Sequence, residues 1–165
     1  MQILSLIQQK GNAEEPSPCV LKGTNHMKHF KFIPKSTTDN SYSFLYKKNH
    51  EKGTYAAYIR GKRCKTTQSF FLEFSAAFQF PDYFGENWDA WDECITDLEW
   101  LSFKQIYVII DDFDLMFSEE ENASVLRDSF VKWIGQKASY WYKKRKRMEV
   151  VAFVEGCQSC QGDKG

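Results

Sequence analysis

The stretch FPDYFGENWDAWDECITDLEW, residues 80–100, carries the side chains needed to hold a cationic partner. It contains seven acidic residues and three tryptophans, and neither lysine nor arginine. Carboxylates attract basic groups over long range, and tryptophan is a common anchor at protein interfaces. The whole chain has 22 basic and 22 acidic residues, so basic flanks must balance the acidic stretch. This uneven distribution predicts a dipolar surface that steers a charged partner.

Residues 88–98 are predicted to form a helix with one apolar and one acidic face. Asp89, Glu93 and Thr96 share the acidic face, and Asp97 lies next to it. Like charges four residues apart destabilise a helix by roughly 0.2–0.5 kcal/mol, and no basic residue lies nearby in the sequence to relieve them. The pattern favours a surface that awaits a cationic partner, with an ordinary solvated face as the alternative. Four residues at helical spacing form the apolar face: Trp88, Trp91, Ile95 and Leu98.

The loop before this helix adds aromatic side chains to the acidic surface. Tyr83 and Phe84 precede Gly85, which can adopt backbone angles that are closed to other residues. Asn87 occupies the position of a helix N-cap. Aromatic anchors beside carboxylates are typical of protein–protein interfaces. The loop and the helix together therefore predict a protein-binding surface.

A second acidic group, in the segment IIDDFD, follows a run of β-branched residues. Asp111, Asp112 and Asp114 are predicted to lie at the carboxyl end of a buried strand, where α/β enzymes often hold Mg²⁺. This position supports an alternative function as an Mg-dependent nuclease or phosphohydrolase that uses Asp112 and Asp114. No glycine-rich phosphate loop completes such a site in the sequence. A solvated loop at the strand end is the simpler interpretation, so we predict no metal site and no cofactor.

Three further patterns have simpler structural explanations. The CQSC motif at 157–160 lacks the second ligand pair of a zinc site, and we expect it to lie in a flexible tail at 157–165. The basic run KKRKR at 143–147 suits the carboxyl end of a helix, so no direct contact with nucleic acid is expected. The odd number of cysteines indicates free thiols. No segment could span a bilayer and the N-terminus lacks the features of a signal peptide, so we expect a cytoplasmic protein without membrane contact.

Alternating strands and helices must position these motifs. They predict an α/β fold with a parallel sheet, preceded by an N-terminal extension. Residues 29–34 and 41–48 alternate apolar and polar side chains, which predicts a β-hairpin in that extension. The predicted domain division is an extension at 1–52, an α/β domain at 53–156 and the tail at 157–165. Within the domain we predict strands at 54–61, 103–111 and 148–155 and helices at 66–80, 88–98 and 121–143.

The motif FPDYFGENWDAWDECIT resembles the signature of the barstar family, whose members inhibit the ribonuclease barnase. The similarity extends back through YIRGKRCKTTQSFFLEFSAAFQF and forward, more loosely, to the strand at 148–155, about 100 residues in all. The resemblance implies a barstar-like three-stranded parallel sheet packed by helices. It also implies a function, in which the acidic helix and its preceding loop plug the active site of a ribonuclease.

A protein of this kind is an inhibitor and not an enzyme. It would act as an immunity protein or antitoxin, as a monomer that forms a 1:1 complex with a basic ribonuclease or toxin domain and needs no cofactor. A barstar-fold regulator of a partner other than a nuclease is a further alternative.

The resemblance also assigns individual partner-binding residues. Asp89 matches the first aspartate of the family, and Glu93 falls where the principal inhibitory aspartate lies. Asp92 replaces a contact tryptophan of the family, so either Asp92 or Glu93 is the main inhibitory carboxylate. Lys132 lies near the position of a second acidic contact, which is therefore not carried over. The complete predicted set is Tyr83, Phe84, Asn87, Asp89, Asp92, Glu93, Thr96, Asp97 and Trp100.

Overall fold

The computed structural model describes residues 28–35 and 40–155 of the 165-residue chain. Every strand and helix predicted from residue 54 onwards is present, with bounds that differ from the prediction by at most two residues. In chain order the elements are β1 (Phe30–Pro34), α1 (Ser41–Asn49), β2 (Thr54–Arg60), α2 (Thr67–Phe78), α3 (Trp88–Asp97), β3 (Gln105–Asp111), α4 (Ala123–Lys143) and β4 (Arg147–Val154).

The four strands form one parallel sheet in the order β1-β4-β3-β2. Gln105 of β3 lies opposite both Thr54 of β2 and Arg147 of β4. Phe30 of β1 lies opposite Val150, three residues further along β4. Because all pairs are parallel, every strand begins at one edge of the sheet, here called the amino edge, and ends at the opposite carboxyl edge.

The prediction of a three-stranded sheet is wrong, because residues before position 53 supply a fourth strand. β1 pairs with β4 along its whole length, from Phe30 to Pro34. The predicted hairpin of residues 29–34 and 41–48 is also wrong, since the second of these segments is helical. The alternating pattern of residues 29–34 does mark a strand, but its hydrogen-bonding partner lies at the far end of the chain.

α1 forms a helix because its capping and its packing differ from those of a strand. The side chain of Asn40 accepts a hydrogen bond from the Ser43 amide at 2.9 Å, which caps the first turn. Phe44 and Leu45 are adjacent in sequence, yet both pack against the same face of the sheet. Adjacent residues of a strand would point to opposite faces. α1 thereby covers four buried residues of one sheet face: Tyr107, Ile109, Val151 and Phe153.

The opposite face of the sheet carries the larger core, against which α2, α3 and α4 pack. Aromatic side chains dominate this core, and Phe70, Phe74, Trp91 and Phe130 are almost completely buried. The rings of Phe70 and Phe74 lie 4.4 Å apart between centroids, and that of Phe130 meets Phe74 edge-on at 5.7 Å. Such pairs add specific geometry to the burial of apolar area, so they fix the orientation of the helices.

Part of the predicted organisation lies outside the described residues. The tail at 157–165 with its CQSC motif belongs there, as do residues 1–27 of the predicted extension. The division at residue 53 stays a prediction, although β1 and α1 pack on the same sheet as the rest of the chain. Within the ranges that the structure covers, no helix is long and apolar enough to cross a membrane.

Candidate functional site

α3 is held in place by its cap and by its apolar face. Asn87 accepts a hydrogen bond from the Ala90 amide at 2.9 Å and donates one to the Gly85 carbonyl at 3.1 Å. Asn87 is therefore the N-cap that the sequence predicts. The predicted apolar face is directed inward, with Trp88 partly buried and the other three members fully buried: Trp91, Ile95 and Leu98.

Three carboxylates, those of Asp89, Glu93 and Asp97, are exposed on the outer face of α3. Within residues 28–35 and 40–155, none of the three takes part in an ion pair. Asp89 lies in the first turn, where the helix dipole favours negative charge, but Asp97 lies in the last turn, where the dipole opposes it. Repulsion along this face is therefore relieved when a cation approaches. The outer face of α3, defined by these three carboxylates, is called the acidic face below.

Asp92 differs from its neighbours because α4 supplies it with a cation. The Lys137 ammonium lies 2.6 Å from the Asp92 carboxylate and donates a hydrogen bond to the Thr96 hydroxyl at 3.0 Å. The Thr96 hydroxyl in turn donates to the Asp92 carbonyl at 2.7 Å. The cation that neutralises Asp92 thus comes from a helix that is distant in sequence, while the stretch around α3 itself contains no basic residue. Both Asp92 and Thr96 are half-buried and serve to join α3 to α4.

The aromatic residues of the predicted site divide between surface and core. Tyr83 is 70% exposed, so its ring is free to contact a partner. Phe84 is half-buried, and its ring meets that of Phe80 edge-on at 4.9 Å. The Trp100 indole donates a hydrogen bond to the Phe78 carbonyl at 2.8 Å, which ties the ring to the end of α2. Phe84 and Trp100 therefore support the loop, while Tyr83 projects from it.

An open cleft of about 920 Å³ lies between the carboxyl-terminal halves of α3 and α4. Its α3 wall includes Glu93 and Asp97, and its α4 side includes Lys144 and Lys146. Neither lysine forms an ion pair with the opposite wall in the part of the chain that the structure describes. A partner that covers the acidic face therefore also meets positive charge across the cleft.

The second acidic group is occupied by a lysine. Lys35 forms ion pairs with Asp112 and, at 3.1 Å, with Asp111. Burial alone would lower the pKa of Lys35, but hydrogen bonds to the two aspartates raise it well above its usual range. Asp114 instead accepts a hydrogen bond from the Glu155 amide at 2.8 Å. No group of three or more possible ligands is arranged to hold a metal ion within the described ranges, so the magnesium-dependent alternative gains no support.

Sequence reasoning missed Lys35 and Lys137, the two cations that neutralise predicted site carboxylates. Lys35 follows β1 and reaches Asp112 only because β1 joins the sheet. Lys137 faces Asp92 only because α4 packs beside α3. The helical period of α4 carries no mark that distinguishes Lys137 from its other lysines, so no sequence signal could have identified either pair.

Comparison with known proteins gives one family. A family model described as "Barstar (barnase inhibitor)" matches residues 54–153, which run from the start of β2 almost to the end of β4. A search of curated proteins finds no match. The matched range contains α3, its preceding loop and every residue of the predicted partner-binding set.

Proposed function

Since the match over residues 54–153 shows that this chain belongs to the barstar family, we propose that it inhibits a barnase-like ribonuclease toxin. In this proposal the chain is an immunity protein or antitoxin. It binds the toxin through α3 and the preceding loop and covers the catalytic site. The complex is non-covalent, has one copy of each protein and needs no cofactor.

The observation that carries the proposal is the acidic face with its exposed, unpaired carboxylates. The active site of a ribonuclease binds the phosphates of RNA and is therefore rich in cations. Asp89 and Glu93, four residues apart on one helix, present two negative charges at a spacing that phosphate-binding arginine, lysine or histidine side chains can match. Tyr83 adds an aromatic anchor at the rim. Binding removes the repulsion within α3 and neutralises the cations that catalysis needs.

We assign Glu93 rather than Asp92 as the principal inhibitory carboxylate. Glu93 is exposed, whereas Asp92 is half-buried and paired with Lys137 at 2.6 Å. A partner cation at Asp92 would have to compete with Lys137 for the carboxylate and would weaken or displace that ion pair. Such a rearrangement opposes binding, because a partly buried cation would lose its partner.

A pull-down from lysate of the source cells tests the proposal. The baits are the wild-type chain, the variant Asp89→Asn/Glu93→Gln and the control variant Glu119→Gln/Glu121→Gln. The control removes the same charge from exposed residues outside the predicted set. Captured proteins are identified by mass, and the captured enzyme is then assayed for RNA cleavage with and without added wild-type chain.

We expect the wild type and the control to capture a basic ribonuclease that the first variant loses, and we expect the wild type to stop its RNA cleavage. Capture of the same proteins by all three baits would show that α3 is not the main interface. Capture of a protein without nuclease activity, lost from the Asp89/Glu93 variant alone, would support a regulator of another class of partner.

A further inference from the structure

The parallel sheet gathers basic residues from separate parts of the chain at its amino edge. Lys28, Lys52 and Lys104 each precede a strand, and the run from 143 to 147 connects α4 to β4. Because all strands begin at the same edge, these four segments converge. We call the eight residues the basic edge: Lys28, Lys52, Lys104, Lys143, Lys144, Arg145, Lys146 and Arg147.

Backbone hydrogen bonds show how closely the segments approach. The Lys104 amide donates to the Gly53 carbonyl at 2.8 Å, and the Arg147 amide donates to the Lys104 carbonyl at 3.2 Å. Lys52 thus lies beside Gly53, which bonds to Lys104 from the β2 side. Arg147 bonds to Lys104 from the opposite side, at the start of β4. Neighbouring strands are about 4.8 Å apart, so the strand starts place cations along a line some 10 Å or more in length.

The cations of the basic edge are available to a partner. Seven of the eight are exposed, and only Lys146 is half-buried. None forms an ion pair within residues 28–35 and 40–155, whereas five other cations of the same ranges do. Eight positive charges in one region repel one another, so an anion that spans them is favoured.

Tyrosine rings lie among these cations. The Lys28 ammonium lies 4.5 Å from the ring centroid of Tyr142, and Tyr142 is 52% exposed. The Lys144 ammonium lies 5.7 Å from the ring centroid of Tyr140. Tyr140 is half-buried, so Tyr142 is the exposed ring between cations, and such a combination binds the bases and phosphates of single strands.

An arginine occupies a strained position within the basic edge. α4 ends in a Schellman motif, in which the Lys146 amide donates to the Trp141 carbonyl at 3.1 Å and the Arg145 amide donates to the Tyr142 carbonyl at 3.1 Å. Arg145 has the left-handed φ of 59° that glycine usually supplies at this position. The motif thereby places Arg145 two residues before the start of β4, at the amino edge of the sheet.

We propose that the basic edge binds the phosphodiester backbone of single-stranded RNA. In this proposal the lysines that precede the strands, together with Arg145, contact phosphates, and the Tyr142 ring stacks on a base. The expectation of no nucleic-acid contact rested on the run at 143–147 alone. The structure brings Lys28, Lys52 and Lys104 beside that run and leaves the Tyr142 ring exposed among the cations.

A membrane surface fits this edge less well than RNA does. Membrane binding by a basic surface is stabilised by apolar side chains that enter the bilayer. The exposed large hydrophobic residue beside the basic edge is Tyr142, whose ring lies under Lys28. The acidic face lies across the cleft from Lys144 and Lys146, so we place the RNA along the strand starts, away from that cleft.

Fluorescence anisotropy with a labelled oligouridine of about 12 nucleotides tests the proposal. The edge variant is Lys52→Gln/Lys104→Gln/Arg145→Gln, and the matched control is Lys62→Gln/Arg63→Gln/Lys132→Gln, which removes three exposed cations elsewhere. We expect the control to bind like the wild type and the edge variant to bind at least about tenfold more weakly. The slope of log K against log salt concentration should become shallower by about 2 in the edge variant.

A second pair of measurements separates RNA from other polyanions. Tyr142→Leu should weaken oligouridine binding by about fivefold or more, because a base loses its stacking partner. Polyglutamate of equal charge should compete poorly with oligouridine for the basic edge. Equal competition by polyglutamate together with no effect of Tyr142→Leu would assign the edge to an acidic protein and overturn the proposal. Absence of oligouridine binding at about 50 mM salt, or equal loss in the edge and control variants, would overturn it as well.

Discussion

Carboxylates within one turn of α3 have different surroundings and should have different roles. Glu93 is exposed and unpaired within the described ranges, whereas Asp92 pairs with Lys137. The helical period predicted the exposure of Asp89 and Glu93, but it placed Thr96 on the same face, and Thr96 is half-buried against α4. The pairing of Asp92 with Lys137 could not be predicted, because it depends on the packing of two helices whose facing residues are 45 positions apart in the sequence.

The exchange of single carboxylates for amides should separate these roles. If the proposed inhibition is correct, Glu93→Gln weakens binding to the captured ribonuclease by at least about tenfold, since a buried cation of the partner loses its counter-charge. Asp92→Asn should change affinity by less than about threefold and lower the free energy of unfolding by about 0.5–1 kcal/mol. Titration calorimetry and urea unfolding measure the two effects. A larger loss of affinity in Asp92→Asn would assign the principal contact to Asp92.

Burial should make the Cys64 thiol unreactive in the folded protein. Burial raises the pKa of Cys64 to about 12, with a smaller contribution from the charge of Glu73. The folded state therefore keeps the thiol protonated below pH 12, whereas the unfolded chain ionises it near pH 9. Cys64 thus contributes to a loss of stability as the pH rises above about 9.

Iodoacetamide labelling at pH 8.5 checks this expectation, read by mass spectrometry of the peptides that a glutamate-specific protease releases. The peptide with Cys64 should stay unmodified in the native protein and become fully modified in urea. Native labelling of Cys64 as fast as that of a free cysteine in solution would contradict the burial.

At the level of elements, the helices and strands from residue 54 onwards were predictable because each buries one periodic face. The segment 41–48 was predicted wrongly because Tyr42, Phe44 and Tyr46 recur at every second position, as they would in a strand, although the apolar Leu45 interrupts the alternation. Only Phe44 of these three packs inward, together with Leu45. The segment forms a helix rather than a strand because it covers one face of the sheet. That face is formed by β3 and β4, which lie far away in the sequence.

Truncation of Phe44 should reveal how much α1 contributes to stability. Its ring lies edge-on to Tyr107 at 5.8 Å and to Phe153 at 6.1 Å. Phe44→Ala should lower the free energy of unfolding by about 2 kcal/mol, less than a fully buried phenylalanine would lose. Tyr46→Ala is the control, because Tyr46 is 70% exposed and should cost less than about 0.5 kcal/mol. Equal urea midpoints for both variants would contradict the packing of α1 on the sheet.

Gly61 joins the ends of β2 and β3 through a close backbone approach. A Cβ atom at Gly61 would lie 2.1 Å from the Asp112 carbonyl oxygen. The Asp112 backbone cannot move freely, because its side chain is held by Lys35. Gly61→Ala should therefore lower the free energy of unfolding by about 3 kcal/mol.

Gly85→Ala serves as the comparison for this substitution. A Cβ atom there would meet the Asn87 side-chain amide at 3.1 Å, a contact that a small shift of this exposed side chain relieves without loss of its capping hydrogen bond to the Ala90 amide. We expect Gly85→Ala to change the free energy of unfolding by less than about 1 kcal/mol. Thermal unfolding of both variants followed by circular dichroism checks the contrast. A stable Gly61→Ala variant would show that β2 and β3 end further apart than described.

Considered as a whole, the molecule is electrically neutral but strongly polarised. The acidic face and the basic edge lie on opposite sides of one cleft. The uneven charge distribution along the chain predicted a dipole and located its acidic part and the basic run at 143–147. The addition of Lys28, Lys52 and Lys104 to that run was not predictable, because these lysines are scattered in sequence and meet only through the parallel order of the strands.

Charge separation on this scale should appear in the kinetics of partner binding. The association rate with the captured ribonuclease should fall at least about tenfold between 50 and 500 mM salt, while the dissociation rate changes little. Stopped-flow fluorescence measures both rates. Asp89→Asn/Glu93→Gln should show a shallower salt dependence. An association rate that is indifferent to ionic strength would contradict electrostatic steering.

The pairing of Phe30 with Val150 also decides when the fold can be completed during synthesis. β1 is the first described strand to leave the ribosome, and its only neighbour in the described sheet, β4, is the last. Until β4 has cleared the exit tunnel, β1 has no strand to pair with and the face covered by α1 is incomplete. Contacts between such distant segments slow folding and leave apolar strands exposed to chaperones. A newly made chain therefore closes its sheet only after translation has passed residue 154.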